Sequence, residues 1–217
     1  MTGGHDGRAT VLVRPLDGTS RAAVTTLVGT TFADDPVFTA LVPDADGRRA
    51  TTTSLYAREL GDPARTVDVA LDVSDPGGDV VLGAALWSRS GGRTRRRSAA
   101  DVAGAAAELV HLVRDLGASG AQRLRRHDAA VEQHRPTGPH WYLEAVAVSP
   151  AARGRGVGSS LLEHRLAEVD ARGEVVFLEA TTRASLRLYE RHGFVLVADV
   201  RSPLGVTVHA ALRPAQG

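Results

Sequence analysis

The residues with the clearest chemical potential are consecutive: Arg153-Gly154-Arg155-Gly156-Val157-Gly158, RGRGVG. Small residues let neighbouring backbone N–H groups approach a ligand closely, and an apolar helical pattern starts at Val157 and Ser159, where the helix macrodipole adds positive potential. Such a loop suits a pyrophosphate. Its spacing excludes two common phosphate loops. No Gly-Lys-Ser/Thr follows, as a Walker A loop requires, and G-x-G-x-x-G fails because the sixth position is Ser159 counted from Gly154 and Leu161 counted from Gly156. What fits is Arg-x-x-Gly-x-Gly on Arg153, Gly156 and Gly158, behind the strand-like run LEAVAVSP. Further along, Leu188-Tyr189-Glu190-Arg191-His192-Gly193-Phe194 places a phenol in a short helix closed by glycine.

The rest of the inventory narrows the chemistry by exclusion. The chain has 217 residues and no cysteine, which removes disulfides, thiolate metal ligands and a cysteine nucleophile. Its 8 histidines never take H-E-x-x-H or another ligand spacing, so no metal is expected. All 26 basic residues are arginine, and lysine, isoleucine and asparagine are absent, a composition of high-GC, actinobacterial type. With a net charge of +1, the RTRRR run at 93–97 is read as a solvated loop, and nucleic acid is not an expected partner. No run approaches the roughly 18 apolar residues of a membrane span and the first residues carry no apolar signal region, so the expected location is cytoplasmic, with no membrane partner.

These residues need elements to position them. A first strand is expected over 9–16, a helix towards Phe32, a break at Asp34-Asp35-Pro36, a short apolar stretch to Val42 and a helix through Tyr56 to Leu60. Two β-rich runs, 66–73 and 80–87, read as an antiparallel hairpin about Ser-Asp-Pro-Gly-Gly. A helical insertion covers about 93–135, with apolar positions Val102, Ala106, Leu109, Val113 and Leu116 at helical spacing and a weaker pattern from Ala121 to His134. Then come a strand from His140 to Val148, the glycine loop, a helix to near Gly173, a strand over 174–181, a helix over 185–192 and a terminal hairpin. The expectation is one α/β (α+β) domain over 1–217 with about eight flexible N-terminal residues. Its central sheet should be mixed and mostly antiparallel, flanked by helices, with the helical insertion between the third and fourth strands.

The two motifs, in this order and on these elements, resemble motif A and the L-Y-x-x-x-G-F motif of the GNAT (GCN5-related N-acetyltransferase) superfamily. TFADDP at 31–36, GAALW at 83–87, HRPTGPHWYL at 134–143 and FLEATTRASLRLYERHGF at 177–194 are similar to segments of the puromycin-type N-acetyltransferases of actinobacteria within it. The resemblance implies acetyl-CoA as cosubstrate, no metal, and a small-molecule amine as acceptor, an antibiotic or aminonucleoside among the candidates. The amine would attack the thioester directly, and the chain would act as monomer or homodimer.

Residue by residue, the resemblance lays pantetheine along Val146, Ala147 and Val148, with the Val146 N–H as oxyanion donor. It lays the pyrophosphate on Arg153, Gly154, Arg155, Gly156, Val157, Gly158 and Ser159. Tyr189 matches the family tyrosine that protonates the coenzyme thiolate; packing on Phe194 is its alternative role. Strand alternation sets Glu144 on one face with Val146 and Val148, where it serves as general base or as an exposed carboxylate, with Tyr142 or a water chain as the other route. Ser185 stands where relatives often have asparagine against the coenzyme, and a hydroxyl replaces one hydrogen bond of an amide, not two. Phe32, Asp35, Trp87 and Tyr142, with Tyr56 and Trp141 beside them, are nominated for the acceptor pocket, and Asp34 or Asp35 suits a cationic amine. A protein or peptide acetyltransferase and a non-catalytic acyl-CoA-binding regulator are the competing readings.

Overall fold

The computed structural model describes residues 11–74, 79–91 and 99–216, with side chains from residue 109 in the last of these. The flexible N-terminus, the tip of the first hairpin and the RTRRR loop of the sequence reading fall outside the described residues.

In chain order the elements are β1 (Val11–Pro15), α1 (Arg21–Ala33), α2 (Pro36–Leu41), α3 (Ala45–Glu59), β2 (Arg65–Asp72), β3 (Val80–Ser90), α4 (Ala99–Glu132), β4 (His140–Val148), α5 (Val157–Asp170), β5 (Val176–Ala180), α6 (Arg183–Glu190), β6 (Val195–Arg201) and β7 (Thr207–Arg213). The early breaks act as helix caps. The Asp35 carboxylate accepts from the Val37 N–H at 2.8 Å with Pro36 opening α2, and Asp44 accepts from the Gly47 N–H at 2.6 Å to open α3. Each carboxylate satisfies an amide that the first helical turn leaves without a partner. The insertion is α4, broken by non-helical backbone at Gly117 (φ 70°, ψ 167°), so the two helical patterns of the sequence are its two arms.

The strands make one sheet in the order β1-β2-β3-β4-β5-β7-β6. β4 and β5 run parallel and the other neighbours antiparallel, which is the mixed, mostly antiparallel sheet expected, with the helical insertion between the third and fourth strands. Each face carries its own apolar layer. Val24 and Val28 of α1, Phe38 and Leu41 of α2, Tyr56 of α3 and Val131 of α4 pack on Val69, Leu86, Ala145, Ala147 and Phe177. Across the sheet, Val157, Leu161, Leu166 and Val169 of α5 pack on Ala85, Trp87, Trp141, Leu143 and Leu178. An ion pair pins that second layer: Arg165 of α5 reaches the fully buried Asp68 of β2, its Nε at 2.9 Å from Oδ2.

Two irregularities in β4 shape the site. Ala145 pairs with Leu86 and Leu143 with Trp87, so Glu144 is an extra residue, a β-bulge. Pairing with β5 covers Trp141, Tyr142 and Leu143 only. Beyond Leu143 the two parallel strands part, leaving a notch between the second half of β4 and the end of β5.

Candidate active site

Hydrogen bonds at the two ends of β4 fix which backbone groups enter the notch. The Trp141 N–H donates to Val175 O, towards β5, at 2.8 Å; the Ser149 N–H donates to Leu82 O, towards β3, also at 2.8 Å. Those residues lie an even number of positions apart, so regular alternation would send both the same way. The bulge at Glu144 reverses the phase. Counting back from Ser149, Ala147 and Ala145 face β3, and the N–H groups of Val146 and Val148 point into the notch. Of the three residues read as lining pantetheine, Ala147 is thus the exception: its backbone is turned to β3 and its side chain is buried in the α1–α4 layer.

The glycine loop closes one end of the notch. Gly154 (φ 74°) and Gly156 (φ 83°) hold left-handed backbone that other residues enter at a cost, and Gly156 starts α5 without any side-chain cap. Arg153, Gly154, Arg155 and Gly156 are exposed, Val157 is buried under α5, and Gly158 and Ser159 are half-buried in its first turn. A Cβ on Gly158 would lie 3.3 Å from Leu188 Cδ2, so a small residue there lets α6 approach. Uncapped N–H groups, a helix N-terminus and neighbouring arginines therefore face solvent together, a fit for a pyrophosphate. Ser159 Oγ shares a hydrogen bond with His192 Nε2 at 3.1 Å.

Tyr189 lies on α6 with its ring against Phe194, centroids 5.8 Å apart and edge to face. Burial, and secondarily the Asp35 carboxylate, push its phenol above the usual tyrosine range, so it is a protonated donor at neutral pH. Ser185, in the first turn of α6, donates its hydroxyl to the Thr182 carbonyl at 2.9 Å and its N–H to Thr182 Oγ1 at 3.1 Å. That hydroxyl serves the helix start, and a coenzyme contact from it would have to use an oxygen lone pair.

On the α1–α4 side, Asp35 joins α2 to the sheet, since the Thr181 hydroxyl, one residue past β5, donates to Asp35 Oδ2 at 2.6 Å. Burial raises its carboxyl, while the Thr181 and Val37 hydrogen bonds pull the other way. Phe32 packs on Tyr56 with centroids 4.9 Å apart, and Phe38 meets the same ring at 6.2 Å. Tyr142 donates to Glu179 Oε1 at 3.1 Å under the Arg135 guanidinium, which sits 4.4 Å from the ring centroid and bonds the same carboxylate oxygen at 3.0 Å. Burial raises the phenols of Tyr56 and Tyr142 as well.

Three nominated residues, Glu144, Trp87 and Trp141, stand elsewhere than the sequence reading put them. Glu144 does not share a face with Val146 and Val148, because the bulge shifts those two valines to the α5 side while Glu144 stays with Tyr142 on the α3 side, where Oε1 meets Arg65 Nη1 at 2.5 Å. Arg65 also reaches Glu59, its Nε at 2.8 Å from Oε2, so Glu144 belongs to an ion-paired cluster. Burial raises its carboxyl and Arg65 opposes that first. Trp87 is fully buried on the opposite face, in the α5 layer, and offers no surface to an acceptor. Trp141 shares that layer, its indole N–H donating to Glu174 Oε2 at 2.6 Å. Arg135 and Glu179, which hold Tyr142, Thr181, which holds Asp35, and His127, which meets Ser202, were not singled out in the sequence, since their partners are distant in the chain.

A family model described as the acetyltransferase (GNAT) family matches residues 105–194, which run from within the first arm of α4 through its second arm, β4, the glycine loop, α5, β5 and α6. A solved structure of histone acetyltransferase HPA2 and related acetyltransferase from Corynebacterium glutamicum superposes with TM-score 0.70 at 29% identity, covering 96% of this chain and 98% of that one. An agmatine N-acetyltransferase superposes with TM-score 0.63 at 17% identity, covering 94% and 99%. Arylalkylamine N-acetyltransferase 2 from Aedes aegypti gives 0.64 at 15%, covering 95% and 100%. The last two likenesses speak to the fold alone.

Proposed function

We propose that this chain is a GNAT-type acetyltransferase that transfers the acetyl group of acetyl-CoA to the amine of a small cationic molecule, a reading supported by the family model over 105–194 and by the Corynebacterium glutamicum likeness. The observation that carries the reading is the notch itself. It joins two inward N–H groups, Val146 and Val148, to an uncapped helix start behind Gly154 and Gly156, with the buried Tyr189 phenol near its other end.

The chemistry asks for three services. A pyrophosphate is held by the N–H groups of Gly156 to Ser159 with Arg153 and Arg155 beside them. The Val146 N–H, fixed by the sheet before the reaction starts, donates to the oxygen that turns anionic when nitrogen adds to the thioester carbonyl; losing such a donor costs about 100- to 1000-fold in turnover. Tyr189 supplies a proton to the departing sulfur, and its raised pKa keeps the phenol loaded at neutral pH. Small amines are favoured as acceptors by the helical insertion, whose second arm packs Leu124, Ala130 and Val131 into the layer that holds Phe32 and Tyr56, narrowing that side. The described HPA2 likeness favours a second reading, a protein acetyltransferase, which needs an open groove at the same place. A puromycin-like antibiotic is the finest form of the small-amine reading.

Thermal unfolding with and without saturating acetyl-CoA tests the coenzyme site, and thiol release tests turnover. The expected result is a raised midpoint together with thiol release driven by puromycin, 2-phenylethylamine or agmatine. An unchanged midpoint sinks the coenzyme site. Acetylation of histone-like peptides with no release from the three amines would install the second reading.

A further inference from the structure

We propose that Asp35, rather than Glu144, receives the acceptor's ammonium group and takes its proton before the amine attacks. This rests on the small-amine acetyltransferase reading above and adds to it the group that activates the nucleophile.

Charge compensation separates the carboxylates around the notch. Glu144 is held on Arg65 at 2.5 Å and Glu179 on Arg135 at 3.0 Å, whereas Asp35 meets only neutral donors, the Val37 N–H at 2.8 Å and the Thr181 hydroxyl at 2.6 Å. Among the described residues no cation is paired with it. A half-buried carboxylate in that state lacks a counterion, and an ammonium ion provides one.

Position points the same way. Asp35 caps α2, its N–H donates to Phe32 O at 3.1 Å, and its bond to Thr181 anchors it just past the end of β5, where the notch opens to the α1–α4 side. The titratable groups that face it from the elements around it are Tyr189 of α6, Tyr56 of α3 and His127 of α4. Both phenols are raised, and burial lowers the His127 imidazole, whose Nδ1 lies 2.8 Å from Ser202 Oγ, so all three are neutral near pH 7. The guanidiniums on the surrounding elements are held elsewhere, Arg48 on Ala33 O and Val42 O, Arg123 on Ala40 O at 3.0 Å and Arg135 on Glu179 at 3.0 Å, so among the described residues an arriving ammonium finds in Asp35 a carboxylate with no ion-pair partner. The raised Asp35 carboxyl then suits a base that must hold a proton briefly.

The step balances within the proposed reaction. The ammonium N–H bond breaks and its proton goes to Asp35 Oδ, leaving a neutral amine. The amine lone pair forms the C–N bond to the acyl thioester carbon, and the oxygen becomes an anion facing Val146 N–H. When the C–S bond breaks, Tyr189 gives its proton to sulfur and recovers one from the nitrogen, which becomes the amide. Asp35 returns its proton to solvent.

Asp35→Asn tests this, because the amide oxygen still caps Val37 while the negative charge is gone. With whichever of puromycin, 2-phenylethylamine and agmatine the native enzyme acetylates best, kcat/KM should fall by about 100-fold or more near neutral pH. The deficit should shrink as pH approaches the amine's own pKa, since an amine already neutral in solution needs no base. Asp35→Glu should recover part of the loss, and the midpoint shift with acetyl-CoA should persist in both variants. A uniform loss at every pH, or an unchanged pH profile in Asp35→Asn, overturns the assignment, as does Glu144→Gln reproducing the pH-dependent loss. If the native enzyme acetylates none of the three amines, the small-amine reading itself fails and this assignment falls with it.

Discussion

Replacing Tyr189 by phenylalanine separates a catalytic phenol from a packing ring. The ring meets Phe194 at 5.8 Å and the residue is 8% exposed, so Tyr189→Phe preserves the shape and the aromatic contact. What disappears is one hydroxyl. Loss of a single hydrogen-bonding group changes stability by about 1 kcal/mol, which for a chain of this size moves the thermal midpoint by roughly 2–4 °C. The effect on turnover is of another order. Removing a positioned general acid lowers the rate about 100- to 10,000-fold, or roughly 2.7–5.4 kcal/mol at about 1.36 kcal/mol per decade. The assay is single-turnover thiol release with enzyme in excess over acetyl-CoA, so that product release cannot mask the chemical step. Because the phenol lies above the usual tyrosine range, native activity should not fall as pH passes the ordinary tyrosine value of about 10, and a loss of activity centred there in the folded protein would contradict the raised phenol. A variant within threefold of native turnover, or one whose midpoint collapses, would refute the reasoning and leave Tyr189 as a core residue.

Other outcomes follow from the same geometry. Gly156→Ala meets no atom within 4 Å of its new Cβ, yet it forces φ 83° on a residue with a side chain at a cost of about 1–2 kcal/mol; the free protein should lose a few degrees in midpoint and acetyl-CoA should bind more weakly by calorimetry. Arg165→Met strands the fully buried Asp68 carboxylate and should cost about 3–5 kcal/mol in denaturant unfolding, part of which Asp68→Asn in the same chain restores. All 3 tyrosines, Tyr56, Tyr142 and Tyr189, have raised phenols in the fold. A raised folded pKa contributes stability that is present below the unfolded value of about 10 and is lost as pH rises above it. Absorbance near 295 nm should therefore report phenolate only as the protein unfolds, and free titration of any one tyrosine at its ordinary pKa in the folded protein would contradict its burial.

How much of this was legible in the sequence depends on the range of the forces involved. The glycine loop, the helix break at Asp34-Asp35-Pro36 and the two-part helical pattern of the insertion are local effects, so residue type and spacing suffice to find them. The pairing of Asp35 with Thr181, and of Arg135 with Glu179, joins distant segments and left no periodic trace. The bulge at Glu144 is the more instructive case, because burial along β4 alternates without a break from Trp141 to Val148 and so conceals it. Trp141 and Leu143 are buried against α5, Ala145 and Ala147 against the opposite layer, and a hydropathy pattern cannot distinguish the two. One inserted residue thereby does two things that alternation cannot predict. It moves Val146 and Val148 to the α5 layer, off the face that Glu144 shares with Tyr142, and it turns the Val146 N–H from β3 into the notch. With a regular strand that N–H would be spent on the ladder, and the carbonyl oxygen of a thioester lying between β4 and β5 would have no donor from this residue. The bulge is thus the backbone feature on which the proposed oxyanion site depends.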